Sequence, residues 1–269
     1  MMKRTVINFL LIVFFIIFVY SGYSIIARLL EYKSSDDYYA RLIEYVGRSE
    51  TSNQLQKDRN AGSTSSETQA EQRSATDRSS DWPFVNFADL QAINQDIVGW
   101  IICKDTKINY PIVQGKDNSY YLNHHFNGKH NSAGCIFLDC RNNSQFSDTH
   151  NILYGHQVSD GSMFSAILKY KKQAFYDAHP KMILITPDAN YQIDIFAGYV
   201  AKADESAWKL DFSSQLEYEE WLSEAVRRST FKSQVLPTGE ERIITLSTCS
   251  YEFYNARYVL VGILRWFPK

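Results

Sequence analysis

An uncharged run near the N-terminus constrains this chain more than any other feature. Residues 5–27 contain no Asp, Glu, Lys or Arg, and most of their side chains are large and apolar. As an α-helix rising about 1.5 Å per residue, the run reaches about 34 Å, which is enough to cross a hydrocarbon layer of about 30 Å. Because Lys3 and Arg4 precede it, a cleaved signal peptide is the alternative. The length of the run and the weak cleavage site at residues 19–21 favour an uncleaved membrane anchor.

The charges that flank the anchor do not settle its orientation. Lys3 and Arg4 lie on one side, whereas Arg28, Lys33 and Arg41 lie close on the other side. The positive-inside rule weighs the basic residues near each end of a span, so the two sides nearly balance. The short segment before the span favours an N-terminus inside the cell and an exported C-terminal part.

Composition divides the remainder of the chain into a spacer and a folded unit. Residues 31–48 have a patchy apolar face and predict a juxtamembrane helix. Residues 49–81 contain no aromatic side chain and a single Leu, so they cannot build a core and predict a flexible spacer that gives the folded unit reach. We therefore expect three parts: an anchor over residues 1–30, a helix and spacer over 31–81, and one folded domain over 82–269.

The folded unit has the pattern of a mainly β protein. Runs of β-branched and apolar residues recur between polar turns. The predicted strands cover residues 97–103, 108–113, 135–139, 151–154, 182–186, 191–200, 242–248 and 257–266. Helices are expected over residues 86–94, 162–170 and 214–230. About eight strands with few helices predict a β-barrel with helical insertions.

The overall composition argues against several functions and cofactors. A net charge of −2 does not suit a protein that binds nucleic acid mainly by electrostatic attraction. The four cysteines form no CxxC pair, no HExxH motif is present, and no carboxylate cluster typical of a calcium site stands out. The sequence therefore indicates neither a metal nor another cofactor.

Four cysteines and six histidines are the candidate nucleophiles and bases. A thiolate paired with an imidazole is economical, because the imidazole takes up the thiol proton and later returns it. Cys249 follows a β-branched run, and Arg257 begins the next strand, so pairing of the two strands would place both side chains at one sheet rim. A guanidinium there could stabilise an oxyanion. A buried inert cysteine and an arginine that reaches solvent are equally consistent with this pattern.

His156 is the best-placed histidine. It follows a short predicted strand and Gly155, which would relax the backbone and let the imidazole face a cleft. A position in a surface loop is the alternative. The other histidines lie in polar surroundings and are weaker candidates: His124, His125, His130, His150 and His179.

At these residues the chain resembles the sortases, cell-surface transpeptidases of Gram-positive bacteria. The stretch TLSTC, residues 245–249, resembles the segment that carries their catalytic cysteine. Further segments resemble class B sortases in particular: DIVGW (96–100), INYPIVQG (108–115), DNSYYL (117–122), CIFLD (135–139), the Tyr-Gly-His stretch that ends at His156, and the helix expected over 214–230. The resemblance covers about residues 86–266.

The resemblance implies a sortase β-barrel and a Cys-His-Arg site. Cys249 would be the nucleophile, His156 the general acid and base, and Arg257 the group that stabilises the transition state and holds the substrate. By position, four further residues match the substrate groove of this class: Asn118, Leu122, Tyr154 and Ser247. Trp208, in the loop before the inserted helix, is a weaker match.

The other cysteines have ordinary structural explanations. Cys103, Cys135 and Cys140 could be small buried hydrophobes. A Cys135–Cys140 bridge is conceivable on an exported protein, although their spacing gives no assurance of disulfide geometry. Cys135 and Cys140 also depart from the family pattern, as does Ser250, which follows the cysteine where some relatives carry an acidic residue.

The reaction that the resemblance implies is a two-step acyl transfer. Cys249 attacks the carbonyl of a Thr in the C-terminal sorting signal of a secreted protein and forms a thioacyl-enzyme. An amine of peptidoglycan, or of its lipid-linked precursor, then accepts the acyl group. Isolated cysteine and histidine side chains have pKa values of about 8.5 and about 6.5, so the thiolate–imidazolium pair is scarce and we expect slow turnover with a bell-shaped pH–rate profile. The resemblance also implies a single-pass protein of the cell membrane with its catalytic domain outside the cell.

Three other functions remain open from the sequence. Residues 132–136 faintly resemble the Ser-His-Gly-Cys motif of L,D-transpeptidases, with Ala133 in place of the histidine, and such an enzyme would use Cys135 as its nucleophile. A hydrolytic cysteine peptidase would pass the acyl group to water. A membrane-tethered peptide-binding module would bind a sorting signal without cleaving it.

Overall fold

The computed structural model describes residues 2–48, 82–203 and 206–269. The spacer predicted over residues 49–81 lies outside the described residues. The helices are α1 (Met2–Leu42), α2 (Phe87–Ile93), α3 (Gln173–Ala178) and α4 (Gln215–Arg228). The strands are β1 (Val46–Arg48), β2 (Pro83–Val85), β3 (Ile97–Ile102), β4 (Asn109–Val113), β5 (Ile136–Leu138), β6 (His150–Tyr154), β7 (Lys181–Ile185), β8 (Asn190–Lys202), β9 (Ile243–Cys249) and β10 (Ala256–Phe267). Short 3-10 helices cover Ile43–Tyr45, Tyr120–Leu122, Phe164–Lys171 and Ser206–Trp208.

Strands β3 to β10 form a closed barrel in the order β10-β8-β7-β3-β4-β5-β6-β9. The pairs β4–β5 and β6–β9 are parallel, and the other neighbours are antiparallel. Large side chains such as Trp100, Phe137 and Tyr258 are buried in the main apolar cluster. The predicted mainly β barrel with helical insertions is confirmed, and each barrel strand begins and ends within two residues of its predicted bounds.

The helical insertions cover the outside of the barrel. The side chain of Ser214 accepts a hydrogen bond from the backbone N–H of Glu217, which caps α4 at its N-terminus. The buried face of α4, which includes Trp221 and Leu222, packs with Phe196 of β8 in a second apolar cluster. The segment predicted as a helix over residues 162–170 is a 3-10 helix, Phe164–Lys171.

Helix α1 runs without a break from Met2 to Leu42. Among the described residues, it is the helix that is long and apolar enough to cross a membrane, and it fits the predicted anchor. The juxtamembrane helix predicted over residues 31–48 is the continuation of α1 and ends earlier than expected. It ends because Val46 and the two residues after it form a strand that pairs with β2, with Val46 opposite Val85.

The last turns of α1 pack against the barrel. Tyr39 and Leu42 are buried in the same apolar cluster as the barrel core. The hydroxyl of Tyr39 donates to the carbonyl oxygen of Gly134 at 2.9 Å, and Ser35 Oγ lies 2.9 Å from Nε2 of His125. The expected domain boundary at residue 82 stays a prediction, but the end of α1 shares the core of the unit that follows.

The β1–β2 pair also changes the expected role of the spacer. Arg48 and Pro83 are register partners, so the two ends of the intervening segment lie side by side. A segment whose ends are adjacent does not lengthen the connection between anchor and barrel. The reach expected of residues 49–81 concerns residues outside the described part of the chain, and the β1–β2 pair joins the end of α1 to the barrel without them.

Candidate active site

Three strand ends meet at one rim of the barrel. β6 and β9 are parallel neighbours, so both end at this rim, and the antiparallel strand β10 begins there. Cys249 is the last residue of β9, and its register partner is Arg257 near the start of β10. Directly paired residues project their side chains to the same face of a sheet. The structure therefore places the Cys249 and Arg257 side chains next to each other.

His156 reaches the same rim from β6. The register pairs Tyr154 with Ser247, and continuing two residues along both parallel strands aligns His156 with Cys249. Two hydrogen bonds join the segment after β6 to the end of β9 beyond the last paired residues. The N–H of Gly155 donates to the carbonyl oxygen of Ser247 at 3.1 Å, and Thr248 Oγ1 donates to the carbonyl oxygen of Gly155 at 2.8 Å. Cys249, His156 and Arg257 thus occupy one rim.

The imidazole of His156 has one defined hydrogen-bond partner. Its Nε2 lies 2.8 Å from the carbonyl oxygen of Leu122. A carbonyl oxygen only accepts, so Nε2 carries a proton and donates it, and Nδ1 is the nitrogen that can take up another. The backbone carbonyl of His156 accepts from the N–H of Phe164 at 3.0 Å. The Leu122 carbonyl therefore orients the half-buried ring, and the Phe164 N–H holds the backbone that carries it.

Gly155 is required for close packing rather than for backbone freedom. Its φ lies outside the left-handed region, contrary to the expectation of a relaxed backbone. A Cβ at this position would lie 2.4 Å from Cδ1 of Ile136 and 2.7 Å from Cδ2 of Phe164. Only a residue without a side chain fits between these two buried groups, so Gly155 sets how closely the His156 segment approaches the core.

Tyr154 and Asn118 are tied to the segment that follows β5. The hydroxyl of Tyr154 donates to Oδ2 of Asp139 at 2.9 Å, and the side-chain oxygen of Asn118 accepts from the N–H of Cys140 at 2.8 Å. Burial alone would raise the pKa of Asp139, but hydrogen bonds, above all from Arg141, lower it to about 2. Asp139 and Arg141 were not predicted as supports, although a carboxylate directly after an apolar strand is a recognisable signal.

Leu122 and Ser247 contribute to the rim through their backbones. The carbonyl of Leu122 holds His156, and the carbonyl of Ser247 accepts the N–H of Gly155. The Ser247 side chain is buried, and Leu122 is half-buried against the core. Trp208 is half-buried against the cluster that contains α4. A direct role for these side chains in binding substrate stays a prediction.

Cys135 does not have the environment of a nucleophile. It is buried, and this burial raises the pKa of its thiol to about 12, although the hydrogen bond with Tyr39 opposes the effect. A thiol that stays protonated is unreactive, because the thiolate is the nucleophile. All four cysteines are free, so the conceivable Cys135–Cys140 bridge is not formed. This environment argues against the L,D-transpeptidase interpretation.

His150 has a structural environment at the other end of β6. Its Nδ1–H donates to the carbonyl oxygen of Lys209 at 2.6 Å, and its Nε2 accepts from Thr245 Oγ1 at 2.7 Å. Complete burial lowers the pKa of His150 to about 4, so the ring is neutral near pH 7. Within residues 2–48, 82–203 and 206–269, no three side chains of the His, Cys, Asp and Glu types form a group that could hold a metal ion.

Known proteins with similar sequences belong to one family. No protein-family model matches the chain. Sortase B of Listeria monocytogenes is 41% identical over 178 residues, which make up 65% of this chain and 72% of that protein. Sortase B of Staphylococcus aureus is 39% identical over 178 residues, with 65% and 73% covered.

The solved structures lead to the same family. The chain matches a structure described as a Staphylococcus aureus sortase B–substrate complex with a TM-score of 0.69 and 32% identity, over 88% of this chain and 98% of that one. Identity, coverage and fold therefore agree along most of the folded unit. The chain belongs to the sortase B family, and it is an enzyme of the sortase transpeptidase class.

Proposed function

We propose that this enzyme cleaves a C-terminal sorting signal of secreted proteins after a Thr and transfers the new C-terminus to an amine of peptidoglycan or of its lipid-linked precursor. Cys249 is the nucleophile, His156 the general acid and base, and Arg257 the oxyanion-stabilising residue. The strand register carries this proposal, because it pairs Cys249 with Arg257 and brings the ends of β6 and β9 to the same rim, where His156 follows β6 by two residues.

The first half-reaction forms a thioacyl-enzyme. The Cys249 thiolate attacks the Thr carbonyl carbon, and the negative charge that develops on the carbonyl oxygen is stabilised by the guanidinium of Arg257. The C–N bond then breaks, and the imidazolium of His156 gives its proton to the leaving amine. The orientation set by the Leu122 carbonyl assigns this proton to Nδ1.

The second half-reaction transfers the acyl group. The acceptor amine attacks the thioester carbonyl, and Nδ1 of His156 takes up the proton that the amine loses. The C–S bond breaks and returns the thiolate. If water attacks instead, the outcome is hydrolysis, so the acceptor must reach the rim more readily than water does.

The substrate groove and the placement of the enzyme in the membrane are the remaining parts of the proposal. We place Asn118, Leu122, Tyr154 and Ser247 along the substrate groove, because all four lie on segments bonded to the His156 rim or to the segment that supports Tyr154. We also infer a single-pass topology in which α1 spans the cell membrane and the barrel faces the outside, where secreted proteins and peptidoglycan are found.

The test uses the full chain in detergent micelles with a library of fluorogenic sorting-signal peptides and an added amine. Mass spectrometry reports cleavage, transfer and hydrolysis separately. Cys249→Ala should lower turnover by a factor on the order of 10³ or more, because it removes the nucleophile. His156→Ala and Arg257→Ala should each lower it by a factor on the order of 10² to 10³.

Cys140→Ala is the matched control, since Cys140 is a partly exposed thiol like Cys249. It should leave turnover unchanged. Loss of activity in Cys135→Ala but not in Cys249→Ala would point to the L,D-transpeptidase interpretation. Products of hydrolysis alone at high amine concentration would indicate a peptidase, and binding of peptides without cleavage would indicate a binding module.

A further inference from the structure

One lysine holds the segment that connects the nucleophile to the arginine. Lys171 is the last residue of the 3-10 helix Phe164–Lys171. Its Nζ donates to Ser250 Oγ at 3.1 Å, forms an ion pair with Glu252, and lies 5.4 Å from the centre of the Tyr258 ring. The Ser250 hydroxyl in turn donates to the same Glu252 carboxylate. We call Lys171, Ser250, Glu252 and Tyr258 the lysine clamp.

Two members of the lysine clamp are the chain neighbours of the two reactive residues. Ser250 directly follows Cys249, and Tyr258 directly follows Arg257. Because side chains alternate between the faces of a strand, these two neighbours project away from the face that carries the thiol and the guanidinium. Tyr258 is fully buried, and Ser250 is only 5% exposed. A single ammonium group therefore supports the ends of both strands from the opposite side.

The connecting segment has little apolar packing of its own. Tyr251 and Tyr254 are 77% and 90% exposed, and Asn255 has a φ of +60° in the left-handed region. A backbone hydrogen bond from Ser250 N to the Ala256 carbonyl closes the segment at its base. Lys171, which belongs to the separate 3-10 helix Phe164–Lys171, adds side-chain contacts to this segment. Its ammonium group binds both the Ser250 hydroxyl and the Glu252 carboxylate.

We propose that Lys171 is a positioning residue for acyl transfer, which fixes the placement of the Cys249 thiol relative to the Arg257 guanidinium by binding Ser250, Glu252 and Tyr258. The inference rests on the proposed roles of Cys249 and Arg257. Lys171 itself does not touch the reacting atoms. Its loss should slow the chemical step more than it weakens peptide binding, because small misplacements of reacting groups cost rate.

The experiment measures kcat and KM of the full chain with a cleaved sorting-signal peptide. Lys171→Met keeps the length of the side chain but removes its charge, and we expect kcat to fall about 10- to 100-fold while KM changes less than about threefold. Lys171→Arg keeps the charge and should recover most of kcat. Lys172→Met is the matched control, because Lys172 is the next residue and is exposed; its kcat should equal that of the wild type.

Equal kcat in Lys171→Met and Lys172→Met would overturn the inference. It would also be overturned if kcat fell only in proportion to a lower melting temperature and Lys171→Arg gave no recovery. If Lys171→Met does not fold, Glu252→Gln takes its place, since it removes the ion pair from an exposed carboxylate, and an unchanged kcat there rejects the inference. Failure of the proposed function is distinguishable from failure of this inference, because Cys249→Ala would remain active only if the proposed function is wrong.

Discussion

His150 and His156 lie near opposite ends of β6, yet their side chains have opposite properties. His150 begins β6 and is enclosed by Lys209, Thr245 and the Trp221 ring, which lies 4.7 Å away. His156 lies two residues beyond the end of β6 and is half-buried, with one nitrogen fixed by a carbonyl. The sequence favoured His156 from its place after a strand and a glycine. It could not show which nitrogen carries the proton, since that depends on Leu122, a residue far away in the chain.

The buried state of His150 predicts a loss of stability in mild acid. Its pKa is about 4 in the folded protein and 6.5 as its ordinary value. Between these values the unfolded chain binds the proton and the folded chain does not, so the free energy of unfolding falls as pH drops from about 6.5 to about 4. The full effect of this one group is about 3 kcal/mol.

Chemical unfolding at pH 7, 5.5 and 4.5 measures this dependence. His150→Asn can keep a donor toward the Lys209 carbonyl but does not titrate in this range, so its stability should change less with pH than that of the wild type. The buried carboxylate of Asp139 has its pKa lowered from 3.8 to about 2, so its contribution to stability is lost mainly below about pH 4, under the range of this experiment. Parallel pH profiles for wild type and His150→Asn would contradict the prediction.

At the scale of elements, local periodicity located the barrel strands but not the way in which they support the site. The strands were predictable because β-branched runs alternate with polar turns over short distances. β1 and β2 were not predicted, because each has three residues and forms only by pairing with the other. The packing role of Gly155 was not predictable from local sequence, since the neighbours that exclude a side chain come from β5 and from the 3-10 helix Phe164–Lys171.

Gly155→Ala should therefore impair both folding and catalysis. The added methyl group must displace Ile136 or Phe164, and such overpacking costs about 1–3 kcal/mol of stability. The same displacement would move His156 and lower turnover. Gly47→Ala is the control, because a Cβ there has nothing within 4 Å. Thermal unfolding and peptide turnover are the measurements, and a Gly155→Ala protein that matches Gly47→Ala in both would refute this account.

At the scale of the whole molecule, helix α1 connects the apolar run directly to the barrel. Its 41 residues extend about 61 Å at about 1.5 Å per residue, from the apolar run to the buried contacts of Tyr39 and Leu42. The chain then joins the barrel through the β1–β2 pair. The barrel thus follows directly on a continuous helix, which limits how far the rim that carries Cys249 can move relative to the apolar run.

Leu42→Ala tests this coupling. Leu42 is buried in the core cluster, so its truncation should lower the free energy of unfolding by about 3 kcal/mol. Ile43→Ala is the matched control, because Ile43 is the next residue and is exposed, and we expect a change of less than about 0.5 kcal/mol. The measurement is chemical unfolding of the full chain in micelles. Equal effects of the two substitutions would show that α1 does not share the barrel core.

Short-range patterns in the chain predicted the long apolar helix and the eight barrel strands, and short motifs, read together with the family resemblance, gave Cys249, His156 and Arg257 as the candidate set. Each depends on properties of neighbouring residues: an uncharged run, alternating side chains, or a motif of a few residues. Tertiary structure decided the docking of α1, the adjacency of Arg48 and Pro83, the orientation of His156 and the lysine clamp. These features depend on contacts between residues far apart in the chain, such as Lys171 and Glu252, and local periodicity carries no information about such contacts.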